Sequence, residues 1–189
     1  DAEIAKNHQK VTISNSCGDE IEEERTSLSF GMNAQKIGED DIFTIVENDG
    51  IRSLKDLELE RIYSKSIQKL QWAEKTAKIS SGRKTVVFTP RGTLLLLIPL
   101  IAGLNGKNVL NDASPLKGKL GQQAFDDRIS IMDDGKDPRS TRSQSFDDEG
   151  VPTTKKSLVK NGKVNSFLYD LKTAARAGRE STGNGFKGG

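Results

Sequence analysis

The chain has 189 residues, which is enough for one large domain or two small ones and long enough to bury a hydrophobic core. Charged residues make up 30% and hydrophobic residues 33%, a balance within the range of soluble folded proteins and outside that of disordered ones. The net charge of +2 argues against nucleic acid or an anionic membrane as a partner, because both require a concentrated basic face. The single cysteine, Cys17, excludes an intrachain disulfide and is consistent with a reducing cytoplasm.

The N-terminal part predicts a small antiparallel sheet followed by one long helix. Short alternating runs between residues 11 and 47 are separated by glycines and then by Asn48-Asp49-Gly50, a pattern typical of hairpin-connected strands. Ser53-Leu54-Lys55-Asp56 has the spacing of a capping box. Apolar and small residues then recur at helical intervals, so we expect an amphipathic helix from about Ser53 to Lys78 that ends before Gly82.

A strongly apolar segment follows. Thr85-Val86-Val87-Phe88 is typical of a buried strand that ends at Pro90, and residues 89–106 then read TPRGTLLLLIPLIAGLNG. The apolar run of about 11 residues in this block is well short of the roughly 20 that a membrane-spanning helix needs. The sequence therefore excludes a membrane span here and predicts a buried core helix.

The C-terminal half alternates between turn-rich loops and short elements. We expect a strand at residues 129–132, and Asn161-Gly162 between two alternating runs predicts a type I′ hairpin. Residues 169–177 predict a short helix that ends at Gly178. The predicted fold is α+β, with an antiparallel sheet and a long amphipathic helix followed by a β-rich, open barrel- or sandwich-like domain with a core helix. The predicted domains are residues 1–82 and residues 83–189.

Few side chains suggest chemistry. His8 and Cys17 are the only imidazole and the only thiol, but no third group is available to orient a Cys–His nucleophile pair, and they are too few for a zinc site. Asp147, Asp148 and Glu149 could hold a hard cation, although calcium loops normally alternate their ligands with other residues. A solvated turn is the simpler interpretation of this acidic cluster. A basic loop is the simpler interpretation of Arg139-Ser140-Thr141-Arg142 with Lys155-Lys156.

Several segments together resemble the TldD/TldE (PmbA) metallopeptidase family, once called modulators of DNA gyrase. The most specific of them are FDDEGVPT, the hairpin and STGN, in that order and spacing. The segments are Asn15-Ser16-Cys17-Gly18, Arg25-Thr26, TVVFTP, NDASPLKGKLGQQAFDDRISIMDDG, FDDEGVPT, LVKNGKVNSFLYDL and STGN. Proteins of this family are far longer, so the resemblance implies that the chain is their middle portion. Residues 1–82 would be the end of the family's N-terminal α+β domain, and residues 83–189 an incomplete β-rich core domain.

The resemblance also gives a meaning to the apolar segment. In the catalytic TldD branch, the corresponding helix carries H-E-x-x-x-H, with two histidine zinc ligands and a glutamate general base, and a C-terminal cysteine completes the site. Aligned through Gly103-Leu104-Asn105-Gly106, these positions correspond to Leu97, Ile98 and Ala102, none of which can bind zinc or accept a proton. Pro99 is a further departure, which we expect to kink the helix or shift its start.

The resemblance therefore implies a TldE/PmbA-like branch without catalytic residues. It implies a cytoplasmic subunit that assembles with a TldD-like subunit as a heterodimer, or with a second copy, around zinc held by a TldD-like partner, with unfolded peptides as substrates. Asp147, Asp148, Glu149 and Gly150 are expected to form part of the substrate channel as structural, wall-forming residues. Two alternatives stay open at this point. One is an independent hydrolase with a metal on the acidic loop, and the other is a nucleic-acid- or gyrase-binding module.

Overall fold

The structure, a computed structural model, describes residues 1–16, 18–38, 41–74 and 77–187. The chain divides into two compact units. The first comprises Asp1–Val11, Glu24–Lys84 and Pro138–Thr141, and the second comprises Thr12–Glu23, Thr85–Asp137 and Arg142–Gly189. Among the described residues are two three-stranded sheets and four α-helices, which confirms the predicted α+β class. The predicted domain boundary at residues 82 and 83 stays a prediction.

The strands of the first sheet are longer than the sequence predicted. They are β1 (Ala2–Ser14), β2 (Glu20–Ile37) and β3 (Ile42–Ile51), in the order β1-β2-β3. β2 and β3 are antiparallel, and their ladder pairs Gly31 with Asn48 and Ser29 with Gly50. The sequence pattern predicts strand breaks at these glycines. The ladder continues through them because cross-strand hydrogen bonds hold an extended backbone even where a glycine supplies no side chain to pack.

The predicted long helix is shorter at both ends. Ser53 caps a 3₁₀ turn at Leu54–Asp56, where its side chain accepts the N–H of Lys55 at 3.3 Å, and α1 spans Leu59–Trp72. The extended backbone at Leu57 separates the turn from the helix. α1 packs against β3 and buries Ile62. Ser53 therefore caps a 3₁₀ turn, and the prediction that it begins the long helix is wrong.

The second unit is built around a three-stranded antiparallel sheet and three short helices. Its elements are α2 (Leu94–Leu104), α3 (Gly106–Leu110), β4 (Ile131–Asp134), β5 (Lys155–Lys160), β6 (Lys163–Val164) and α4 (Leu171–Ala177). The sheet order is β4-β5-β6. A cluster of apolar side chains from the sheet, α2, α3 and the adjoining loops forms the core of this unit. The cluster consists of Leu104, Val109, Leu116, Leu158, Val159, Val164 and Phe167.

Two local predictions in this unit are confirmed. Asn161 and Gly162 have φ values of 48° and 77°, as a type I′ hairpin requires, and they join β5 to β6. Gly178 ends α4 in the left-handed region, with φ 62°. α4 begins at Leu171, two residues later than expected, because Asp170 and Thr173 form a capping box at its start.

Two predictions about buried apolar elements are wrong. Thr85–Phe88 forms no strand, and Val86 and Val87 are exposed. α2 is a helix, but only its C-terminal Gly103 and Leu104 are buried, whereas Leu95 is 71% exposed. An apolar sequence indicates that a segment can be buried, but burial also requires another element to cover it. Among the described residues, no helix is both long enough and apolar enough to span a membrane.

Candidate functional site

Leu97, Ile98 and Ala102, the positions expected to replace the zinc motif, lie along α2. Leu97 is half-buried, while Ile98 and Ala102 are exposed. α2 begins at Leu94 and continues through Pro99, although proline offers no N–H to the carbonyl four residues earlier. All eleven side chains of α2 are aliphatic, proline or glycine and carry no nitrogen, oxygen or sulfur. This helix therefore offers neither a metal ligand nor a general base.

The acidic cluster, which we call the acidic loop (Asp147–Gly150), is not a fully solvated turn. The Asp147 side chain is completely buried. Its Oδ1 accepts the backbone N–H groups of Glu149 at 3.0 Å and Val151 at 2.9 Å, and its Oδ2 accepts that of Gly185 at 2.7 Å. These three hydrogen bonds compensate for the loss of water around a buried carboxylate. The prediction of a solvated turn is therefore wrong for Asp147.

The other two carboxylates of the acidic loop also accept backbone N–H groups. Asp148 Oδ2 accepts the N–H of Lys187 at 2.6 Å, and Glu149 Oε2 accepts the N–H of Leu171 at 2.7 Å. Gly150 closes the turn with φ 77° and donates its N–H to the Asp147 carbonyl at 3.0 Å. Across the described parts of the chain, no group of three or more His, Cys, Asp or Glu side chains is placed to hold a metal ion.

A polar network that the sequence analysis missed surrounds Asn184 of the STGN motif. Lys156 Nζ donates to Asp133 Oδ2 at 2.9 Å and to Asn184 Oδ1 at 3.0 Å, and Asn184 Nδ2 donates to the same Asp133 oxygen at 2.9 Å. The Lys156 side chain is only 12% exposed. Lys156 and Asp133 are directly opposite each other in the β4–β5 ladder, as are Lys155 and Asp134. The interpretation of Lys155-Lys156 as a basic loop is therefore wrong. The sequence signal for this pairing was the match of two adjacent aspartates, Asp133-Asp134, with two adjacent lysines.

The tip of the β1–β2 hairpin also contacts the segment before the acidic loop. The Glu23 carboxylate accepts the N–H of Ser145 at 3.0 and 3.1 Å and its hydroxyl at 3.0 Å. Ile21 lies 3.5 Å from where a Cβ would stand on Gly150. Three segments that are distant in sequence, 21–23, 145–150 and 181–187, therefore meet within the second unit.

The hypothetical Cys–His pair gains no support. His8 is exposed on β1, and its Nε2 contacts Glu24. Cys17 lies outside the described residues.

Comparisons with known proteins agree with the resemblance noted in the sequence. The PmbA/TldA metallopeptidase C-terminal domain family matches residues 81–189. An uncharacterized protein of Methanocaldococcus jannaschii is 35% identical over 188 residues, which cover 98% of this chain and 43% of that protein.

Solved structures give the same answer for the fold. A Thermotoga maritima protein described as a modulator of a DNA gyrase superposes with a TM-score of 0.88 and 32% identity, covering 100% of this chain and 44% of its own. TldE from Thermococcus kodakarensis superposes with a TM-score of 0.83 and 27% identity, and the match covers 99% of this chain and 42% of TldE. The chain thus spans less than half the length of these relatives. Its family match over more than half of its length shows that the chain belongs to the PmbA/TldA metallopeptidase family, the TldD/TldE family of the sequence motifs.

Proposed function

We propose that this protein is a noncatalytic, TldE/PmbA-like subunit of a zinc metallopeptidase complex that degrades or processes unfolded peptides. One observation carries the proposal. By the resemblance to the catalytic branch, the helix that holds the zinc motif there corresponds to α2, whose positions 97, 98 and 102 are leucine, isoleucine and alanine. The similarity to TldE from Thermococcus kodakarensis supports this assignment.

The residues present do not fit a zinc ion. Zinc requires nitrogen, sulfur or oxygen ligands, usually three from the protein at a catalytic site, and α2 offers none. The zinc of the complex then belongs to a TldD-like partner subunit, and this chain contributes no step of hydrolysis. A second copy of this chain is the alternative partner.

The subunit's contribution under this proposal is structural. Extended peptides are held by backbone pairing, a recognition mode that needs no reactive side chain from this chain. Three carboxylates, those of Asp147, Asp148 and Glu149, make this structural contribution. Their hydrogen bonds to backbone N–H groups hold the surrounding segments in place. Gly150 allows the turn between them and the next strand.

The test compares the purified protein alone with a mixture that contains a TldD-like subunit from the same organism. We expect no stoichiometric zinc in the protein alone and no hydrolysis of denatured casein. The mixture should co-purify as a complex and hydrolyse casein, and a zinc chelator should abolish that activity.

Other outcomes would contradict the proposal in distinct ways. Stoichiometric, tightly held zinc in the protein alone would refute the noncatalytic assignment. Casein hydrolysis by the protein alone, lost in Asp148→Ala, would identify an independent hydrolase. DNA binding whose affinity falls steeply with salt would instead identify a nucleic-acid-binding module.

A further inference from the structure

The acidic loop binds two segments of its own chain through three consecutive carboxylates. Asp147 and Asp148 accept N–H groups of residues 181–187, which we call the strap, and Glu149 accepts the N–H of Leu171 at the start of α4. We propose that the acidic loop is a carboxylate clamp that fixes the strap and α4 relative to each other. It is a conformational device within the second unit, and it deepens the structural role that the proposed function gives these carboxylates, although hydrogen exchange tests it without any measurement of peptidase activity.

The close packing of the strap on the acidic loop supports this assignment. Gly185 is buried, and a Cβ at this position would overlap the Glu149 carboxylate and lie 2.6 Å from Glu149 Cδ. Gly183 has φ 67°, and a Cβ there would overlap the carbonyl oxygen of Pro152. The strap therefore lies close against Glu149 and Pro152. A side chain at residue 183 would meet backbone atoms and force the strap away, whereas a side chain at residue 185 would displace the Glu149 carboxylate.

The strap is also held on its other side. Asn184 bonds to Asp133 and Lys156 of the sheet, and Thr182 donates its N–H to the Tyr169 carbonyl at 3.0 Å. Asp147 and Asp148 bind the strap at Gly185 and Lys187, just beyond these contacts. The strap is therefore bound along most of its length, and the acidic loop supplies the contacts at its C-terminal end.

The chemistry of Asp147 favours a clamp over a cation site. Its Oδ1 accepts two N–H groups and its Oδ2 accepts one, so three of the roughly four lone pairs of this carboxylate are already used. An asparagine here could accept on one side only, because its NH₂ group would face one of the N–H donors. The position therefore requires a carboxylate for a reason unrelated to metal binding.

The pairing of one carboxylate with one amide allows a residue-resolved test by hydrogen exchange. In Asp148→Ala the amide of Lys187 should exchange about tenfold faster or more, since a hydrogen bond to a charged acceptor is lost, and the amide of Leu171 should be unchanged. In Glu149→Ala the amide of Leu171 should exchange faster, and the amide of Lys187 should be unchanged. Glu180→Ala removes an exposed carboxylate next to the strap and serves as the matched control, in which neither amide should change.

Asp147→Asn should accelerate exchange at Gly185, or at both Glu149 and Val151, depending on which way the amide turns. The buried Val164 amide, which donates to the Gln122 carbonyl at 3.1 Å, reports whether the unit is still folded in each variant. If Asp147→Asn unfolds the unit, exchange in the Asp148→Ala and Glu149→Ala variants tests the clamp. Equal exchange at Lys187 and Leu171 in the parent and in both alanine variants would overturn the clamp. So would a stoichiometric Ca²⁺ or Mg²⁺ ion bound by the parent and lost in Asp148→Ala.

Discussion

Gly106, at the start of α3, lies directly against the ring of Tyr169. A Cβ at residue 106 would overlap the Cδ1 and Cε1 atoms of this ring and lie 2.7 Å from the Leu168 carbonyl oxygen. The N–H of Gly106 donates to that same oxygen at 2.8 Å, and the N–H of Leu168 donates to the Leu104 carbonyl at 2.9 Å. The connection between α2 and α3 is therefore joined to the segment before α4 at van der Waals distance, with no room for a side chain.

The first prediction compares two glycines in this region. Gly106→Ala should lower the free energy of unfolding by about 1–3 kcal/mol or more, because the methyl group would force Tyr169 and the backbone apart. Gly103→Ala should be neutral or stabilise by up to about 1 kcal/mol, since its Cβ would meet Leu116 at an ordinary 3.5 Å and alanine favours helix. Denaturant unfolding of both variants measures the difference. Equal destabilisation by the two would show that residue 106 is not in close contact with Tyr169.

The second prediction separates the two ends of α2. Leu104→Ala should destabilise by about 2–5 kcal/mol, because Leu104 is completely buried in the core cluster. Ile98→Ala, on the same helix but 65% exposed, should change the free energy of unfolding by about 1 kcal/mol or less. Thermal unfolding of the purified chain provides the measurement. A larger effect at Ile98 than at Leu104 would contradict the exposed position of the first turns of α2.

The third prediction concerns two glycines with positive φ. Gly178→Ala should cost about 1–2 kcal/mol for the left-handed backbone alone, since a Cβ at Gly178 would meet nothing within 4 Å. Gly162→Ala should cost substantially more, because its Cβ would also overlap Gln123 Nε2 and the Phe125 carbonyl oxygen. Urea midpoints for the two variants provide the comparison. Similar costs would show that the neighbours of residue 162 can move aside.

The fourth prediction concerns pH. The side-chain and backbone hydrogen bonds from Thr173 hold the pKa of Asp170 below its ordinary value. A carboxyl whose pKa is lowered on folding stabilises the protein above its unfolded pKa, and this contribution is lost as the pH falls through the folded pKa. The stabilisation from Asp170 should therefore be present at neutral pH and disappear in acid below about pH 4.

Thr173→Val tests the cause of this shift, because valine keeps the shape of threonine and removes the hydroxyl that donates to Asp170 Oδ1 at 2.7 Å. The pKa of Asp170, followed by the ¹³C shift of its carboxyl group, should rise in this variant. Asp170→Asn keeps a capping side chain and should remove the acid dependence of this site with little loss of stability at neutral pH. An unchanged pKa in Thr173→Val would show that the hydroxyl does not lower it.

Local features of this chain could be predicted because their causes lie within a few residues. The hairpin at Asn161-Gly162 and the end of α4 at Gly178 both depend on which residues tolerate positive φ, and this is a property of the residue itself. The lack of ligand atoms at residues 97, 98 and 102 is likewise a matter of side-chain composition. The family motifs could be recognised for a similar reason, since the order and spacing of residues carry them.

Burial depends on what lies opposite a residue, and this only the tertiary structure decided. Asp147 is in an acidic, turn-like sequence and yet is completely buried, because the backbone N–H groups of Glu149, Val151 and Gly185, the last of them 38 residues away, meet its two oxygens. Leu95 is in the most apolar run of the chain and yet is exposed, because no described element covers it. Sequence alone determined the local turns and the chemistry that α2 lacks, whereas long-range contacts determined which carboxylates act as structural ligands for the backbone.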